Sequence, residues 1–102
     1  MPQKNNTLRV CIDVDETLWD NHFQTPRKHI VALYHILKKL GCHITVWSAG
    51  GERWAREVCE KCNIHPHEIC DKPPYDDVLA GKKFCDISID DSECLGTVNI
   101  YP

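Results

Sequence analysis

Three carboxylates fall within four positions of the stretch "LRVCIDVDETLWD": Asp13, Asp15 and Glu16. They follow directly on an apolar, β-branched run. A second acidic pair, Asp90 and Asp91, follows the apolar alternation of "FCDISIDD", and Ser48 ends a third such run, "HITVWS". Carboxylates gathered in a poorly solvated crevice repel one another. A hard divalent cation relieves that repulsion. Mg²⁺ takes oxygen ligands, keeps several waters, and is commonly held by one or two carboxylates plus a substrate phosphate. One acidic pair alone reads as a solvated loop or a helix cap. Two pairs, each directly behind a buried strand, predict a metal site with a reactive aspartate in it.

The elements that must position these residues are legible from periodicity. Residues 8–14 read as a buried strand ending in charge. Residues 15–26 read as a loop closed by Thr25-Pro26, with Thr25 as N-cap and Pro26 as the first helical residue. "RKHIVALYHILKKLG" predicts a helix whose apolar face is Ile30, Leu33, Leu37 and Leu40, widened by Ile36, with Gly41 as its C-terminal stop. "HITVWSAGG" is a second strand running into a glycine turn, and "ERWAREVCEKCNI" a second helix with Trp54, Val58 and Cys62 on its apolar side. A short strand at 68–70, helical turns at 75–81, a strand over 84–91 and a last edge strand in "TVNIYP" complete the order.

Strands alternating with helices predict a parallel sheet with helical crossovers. Ligands of such sheets bind outside the carboxyl ends of the strands. Asp13, Asp15, Ser48, Asp90 and Asp91 all fall at that edge. The fold class expected is α/β: a Rossmann-like, three-layer α/β/α arrangement around a small central parallel sheet, in one domain over residues 1–102.

Composition narrows the function classes. The chain has 102 residues, enough for one modest core. With 42% hydrophobic and 26% charged residues it reads as globular, and its net charge of −3 argues against nucleic acid as the main partner. No apolar run is long enough to span a bilayer, and "MPQKNNTLRV" lacks the features of a secretory signal, so a cytoplasmic location is expected. Seven cysteines is an odd number, and reduced thiols acting as small apolar residues are the simplest reading.

These motifs resemble the haloacid dehalogenase (HAD) superfamily, most of whose members are phosphatases and phosphotransferases. The first motif of that family, an apolar strand followed by Asp-x-Asp-x-Thr, is matched by "RVCIDVDETL" with Asp13, Asp15 and Thr17. The second, a strand ending in Ser or Thr, is matched by "ITVWS". The third is an upstream lysine, for which Lys82 fits best and Lys72 and Lys83 are rivals; the fourth is the acidic pair of "DISIDD". The tail "YDDVLAGKKFCDISIDD" is similar to the small branch that lacks a cap domain.

The resemblance implies a Mg²⁺-dependent phosphomonoester hydrolase. Asp13 would be the nucleophile that forms an aspartyl-phosphate, and Asp15 the general acid and base. The metal would take the Asp13 carboxylate, the Asp15 backbone carbonyl and an acid from the fourth motif, Asp91 directly with Asp90 behind it, or the reverse. Ser48, Ala49 and Lys82 would hold the phosphate, and Thr17 would orient the first loop through hydrogen bonds at the substrate. Without a cap the site is open, which implies a phosphorylated substrate that can be bulky, or a partner subunit in a homodimer. Trp19, His22, Phe23 and Arg27 form the expected rim, either touching a leaving group or, for Trp19 and Phe23, partly buried.

Three other readings compete. A receiver domain also combines acids, a Ser or Thr and a Lys, but carries its phosphorylated Asp after a middle strand, where this chain has Ser48. A zinc module is suggested by Cys59 and Cys62 with His65, His67 and Cys70 nearby, though there is no second CxxC. A non-catalytic scaffold, or a phosphate- or metal-binding module, is the third.

Overall fold

The computed structural model describes residues 7–72, 85–90 and 97–100. Its centre is β1 (Arg9–Asp13), which pairs in parallel with β4 (His43–Trp47) on one side and β6 (Ile87–Asp90) on the other. β5 (Glu68–Cys70) extends the sheet beyond β4, and β7 (Thr97–Ile100) lies antiparallel to β6. The order is β5-β4-β1-β6-β7, so four strands are parallel and one edge is antiparallel. The fold is therefore α/β.

Register explains which side chains are buried together. Val10 lies beside Ile44 and Ile87, and Ile12 beside Val46 and Ile89. This face carries the main apolar core. Cys11, Thr45 and Ser88 alternate onto the other face and are also buried. Both faces of β1 are covered, which is why its sequence reads as a continuous apolar run.

Two helices supply the rest of the core: α1 (Lys28–Lys39) and α2 (Glu52–Lys61). Their crossovers carry the chain in the same direction along the sheet, so right-handed connection puts both on one face. Both end in the same way. In α1 the N–H of Gly41 bonds to Lys38 and that of Cys42 to Leu37, with Gly41 at φ 89°. In α2 the N–H of Asn63 bonds to Glu60 and that of Ile64 to Cys59, with Asn63 at φ 57°. These paired bonds satisfy carbonyls that the helix leaves open.

Two local expectations are corrected, and a third lies outside the described residues. Thr25–Pro26 is a strand, β3, paired with β2 (Trp19–Asp20), and α1 begins only at Lys28. The Arg27 N–H still bonds to the Leu18 carbonyl, so the chain stays in the hairpin past the proline. The apolar face of α1 is centred on Ile30 and Tyr34, whereas Ile36 and Leu40 are 57% and 73% exposed. Tyr34 can take a core position because its hydroxyl reaches out to the His65 N–H and the Lys38 ammonium. The helical turns expected at 75–81 lie outside the described residues, as does any second helical layer they would form.

Candidate functional site at the carboxyl end of the sheet

Asp13 is the last residue of β1 and Asp90 the last of β6. The two strands run in register up to Ile12 opposite Ile89, so the two carboxylates come next, side by side, on neighbouring parallel strands. Both are half-buried. The chain then leaves the sheet through Val14, whose N–H bonds to the Trp47 carbonyl, and turns at Glu16, which adopts φ 62°. That left-handed conformation is sparsely populated for a residue with a side chain. It is held by the Glu16 N–H on the Trp19 carbonyl and by the Arg27 guanidinium on the Glu16 carboxylate at 3.0 Å.

Asp15 sits inside this turn with three donors on its carboxylate. The Ser48 hydroxyl donates to Oδ2 at 2.8 Å. The Trp54 indole N–H donates to Oδ1 at 3.0 Å, and the Asn21 amide to the same oxygen at 3.3 Å. Its backbone carbonyl accepts no backbone hydrogen bond among the described residues.

Ser48 follows β4 directly and is fully buried. Besides donating to Asp15, its Oγ accepts the Gly50 N–H at 3.0 Å. Space at position 50 is tight. A Cβ there would stand 3.3 Å from Ser48 Oγ and 3.4 Å from Trp54 Cδ1. Ala49 is exposed at the tip of this turn.

The remaining expectations divide. Thr17 is buried, but its Oγ1 has no partner, so the side-chain hydrogen bonds expected of it are not made; its backbone N–H, on the Val14 carbonyl, holds the turn instead. Trp19 is only 4% exposed and belongs to the core, so it is not a rim residue. His22 and Phe23 are exposed and packed edge to face, while Arg27 is turned inward to Glu16. Lys72 is exposed just past β5, with β4 between that strand and β1. Lys82, Lys83 and Asp91 lie outside the described residues.

Among the described residues, no three His, Cys, Asp or Glu side chains come together to hold a metal ion by themselves. The pair Cys59 and Cys62 faces the core, where burial pushes the two thiols up to about 12 and about 11. No third His, Cys, Asp or Glu joins them as a metal-holding group among the described residues. For Mg²⁺ the donor chemistry does fit. Asp13 and Asp90 supply two adjacent carboxylates and Asp15 an unspent carbonyl, an all-oxygen set of the kind Mg²⁺ completes with water.

The sequence reading missed Trp54, treating it as one more apolar position of the second helix. The signal was the neighbouring "SAGG": a turn of small residues lets the first turn of the next helix approach the strand end closely. Comparison with protein-family models, with curated proteins and with solved structures found no match.

Proposed function

We propose that this protein is a Mg²⁺-dependent phosphomonoester hydrolase of the HAD type, with the α/β/α layering and open, cap-less site of that superfamily. The observation that carries the reading is the pairing of Asp13 with a second aspartate, Asp15, fixed two residues later by the residue that directly follows the neighbouring strand, Ser48. One half-buried aspartate thus ends β1 beside Asp90, and another, two residues on, is held by three side-chain donors.

In this mechanism an Asp13 oxygen attacks phosphorus and the bond to the leaving oxygen breaks. Asp15 gives that oxygen its proton. Water then attacks the aspartyl-phosphate, Asp15 takes the water's proton, and phosphate leaves with Asp13 restored. Asp13, the Asp15 carbonyl and Asp90 or Asp91 would hold Mg²⁺, which would supply positive charge to offset that of the phosphate. Phosphate oxygens are taken by Lys82, or by Lys72 or Lys83 in its place, and by the turn after β4. There the Ala49 N–H is not spent on a backbone partner, whereas the Ser48 hydroxyl proton already goes to Asp15. The substrate class is a phosphate monoester, large where no second subunit covers the site.

Hydrolysis of para-nitrophenyl phosphate tests this. Turnover is expected with Mg²⁺, and a fall of at least about a hundredfold with EDTA and again with Asp13→Asn. Full activity in Asp13→Asn would falsify the assignment. A folded, Mg²⁺-loaded wild type without turnover on a panel of phosphate esters moves the reading to a phosphate- or metal-binding module.

A further inference from the structure

We infer that Trp54 is a positioning residue for the general acid and base, and that the proton is carried by one particular oxygen of Asp15, Oδ2. The inference rests on the phosphatase reading above and adds to it a residue and an atom.

A carboxylate offers about four lone-pair sites, two on each oxygen. Oδ1 of Asp15 takes two donors, the Trp54 indole and the Asn21 amide, and so is filled. Oδ2 takes one, the Ser48 hydroxyl. The one open site is therefore on Oδ2, and it is there that the proton sits before transfer to the leaving oxygen and there that the proton from water returns. Oδ1 remains an acceptor throughout both steps.

Trp54 is held as rigidly as this role needs. It lies in the first turn of α2, half-buried, with its ring against the Ser48–Gly50 turn, where a Cβ at position 50 would meet Cδ1 at 3.4 Å. The ring of Trp19 packs edge to face on it, with centroids 6.0 Å apart and planes at 90°. The Trp19 ring is itself anchored in the core. An indole N–H has one direction and no acceptor capacity, so a clamped indole fixes Oδ1 and with it the direction in which Oδ2 points. Asn21, on an exposed turn at a longer distance, is the weaker of the two donors.

A positioning role predicts loss that depends on how much the leaving group needs a proton. Trp54→Phe keeps a ring and removes the donor. With glycerol phosphate, a poor leaving group, kcat/KM, which reports the transfer to Asp13 and not the later hydrolysis common to both substrates, is expected to fall about tenfold or more. With para-nitrophenyl phosphate, whose leaving group needs little protonation, kcat/KM should fall about twofold or less. Trp54→His, which retains a ring N–H, should restore part of the glycerol phosphate rate. Equal losses on the two substrates, or none on either, overturn the inference while wild-type turnover keeps the phosphatase reading. Wild type that cleaves neither substrate overturns both. Should Trp54→Phe lose its thermal unfolding transition, the indole N–H signals of ¹⁵N-labelled protein decide. Asp15→Asn must then shift the Trp54 signal among the three tryptophans, and no shift overturns the inference.

Discussion

At the scale of single residues, the site region holds more than one buried polar group that is costly to keep, the Thr17 hydroxyl and the Trp19 indole N–H among them. The hydroxyl of Thr17 is buried with no partner, a state that costs about 1–3 kcal/mol relative to a hydrated hydroxyl. Replacing it with the isosteric Val should raise stability by about 1 kcal/mol and the Tm by about 4–8 °C, read by calorimetry. A lower Tm would mean that the hydroxyl finds a partner in solution. The contrast with Ser48 is instructive. Both are small hydroxyl residues, fully buried beside the acidic turn, yet Ser48 both donates and accepts. Sequence could mark both as site residues from their place behind the strands. It could not tell the two apart, because that depends on where a backbone N–H and a carboxylate arrive from elsewhere in the chain. Trp54 was hidden for the same reason: its partner, Asp15, lies 39 positions away.

At the scale of elements, the strands were readable and the junctions were not. β1, β4 and β6 announce themselves because burial on both faces leaves an apolar run that ends abruptly in Asp or Ser. The hairpin of β2 and β3 has only two residues on each side, too short for any period to register. On α1 the spacing rightly put Ile30, Leu33 and Leu37 against the core but misplaced Ile36 and Leu40, which Tyr34 outcompetes by keeping its hydroxyl hydrogen-bonded. A further joint lies where β5 begins. The Ile44 N–H donates to His67 Nδ1 at 3.0 Å, while the His67 N–H returns to the Ile44 carbonyl at 2.8 Å. Partial burial lowers the His67 pKa below its usual 6.5; the nearby Lys38 and the stacked His43 act in the same direction, and Glu68 opposes them. A histidine with a lowered pKa binds fewer protons folded than unfolded. Its contribution is therefore present above about pH 6.5 and lost as the pH falls through the lowered value. Urea unfolding between pH 5 and about pH 8 should show this decline, small because the ring is exposed, and His67→Gln should flatten it. An unchanged profile in the variant would assign the slope to other groups.

At the scale of the whole molecule, stability is concentrated in the middle of the sheet. Ile12 is fully buried between Val46 and Ile89, and it immediately precedes Asp13. Ile12→Ala should cost about 2–5 kcal/mol and lower the Tm by roughly 10 °C or more, with the denaturant slope unchanged. A small effect would mean that the core closes around the gap. The apolar surface left outside this core includes Leu8, Ile36 and Leu40, of which Leu8 and Leu40 flank a shallow recess of about 310 Å³ with Leu37 and Cys42. No helix of the described residues is long and apolar enough to cross a membrane.

The central strand also has a history in time. Among the described strands β1 comes earliest in the sequence, and β4, its partner on one side, follows within a few dozen residues. On the other side its partner is β6, tied to it from the outset by the Arg9 N–H on the Asp86 carboxylate, a contact spanning 77 positions. Until those later residues leave the ribosome, one edge of β1 has nothing to pair with, and the two aspartates of the candidate metal site cannot meet. Loop closure over such a distance makes this pairing a slow step. The nascent chain thus carries an open, apolar strand edge until β6 emerges, the condition under which chains pair with one another instead. Exposure of that edge during translation is the cost of placing Asp13 on β1 and its acidic neighbour Asp90 far later in the sequence, on β6.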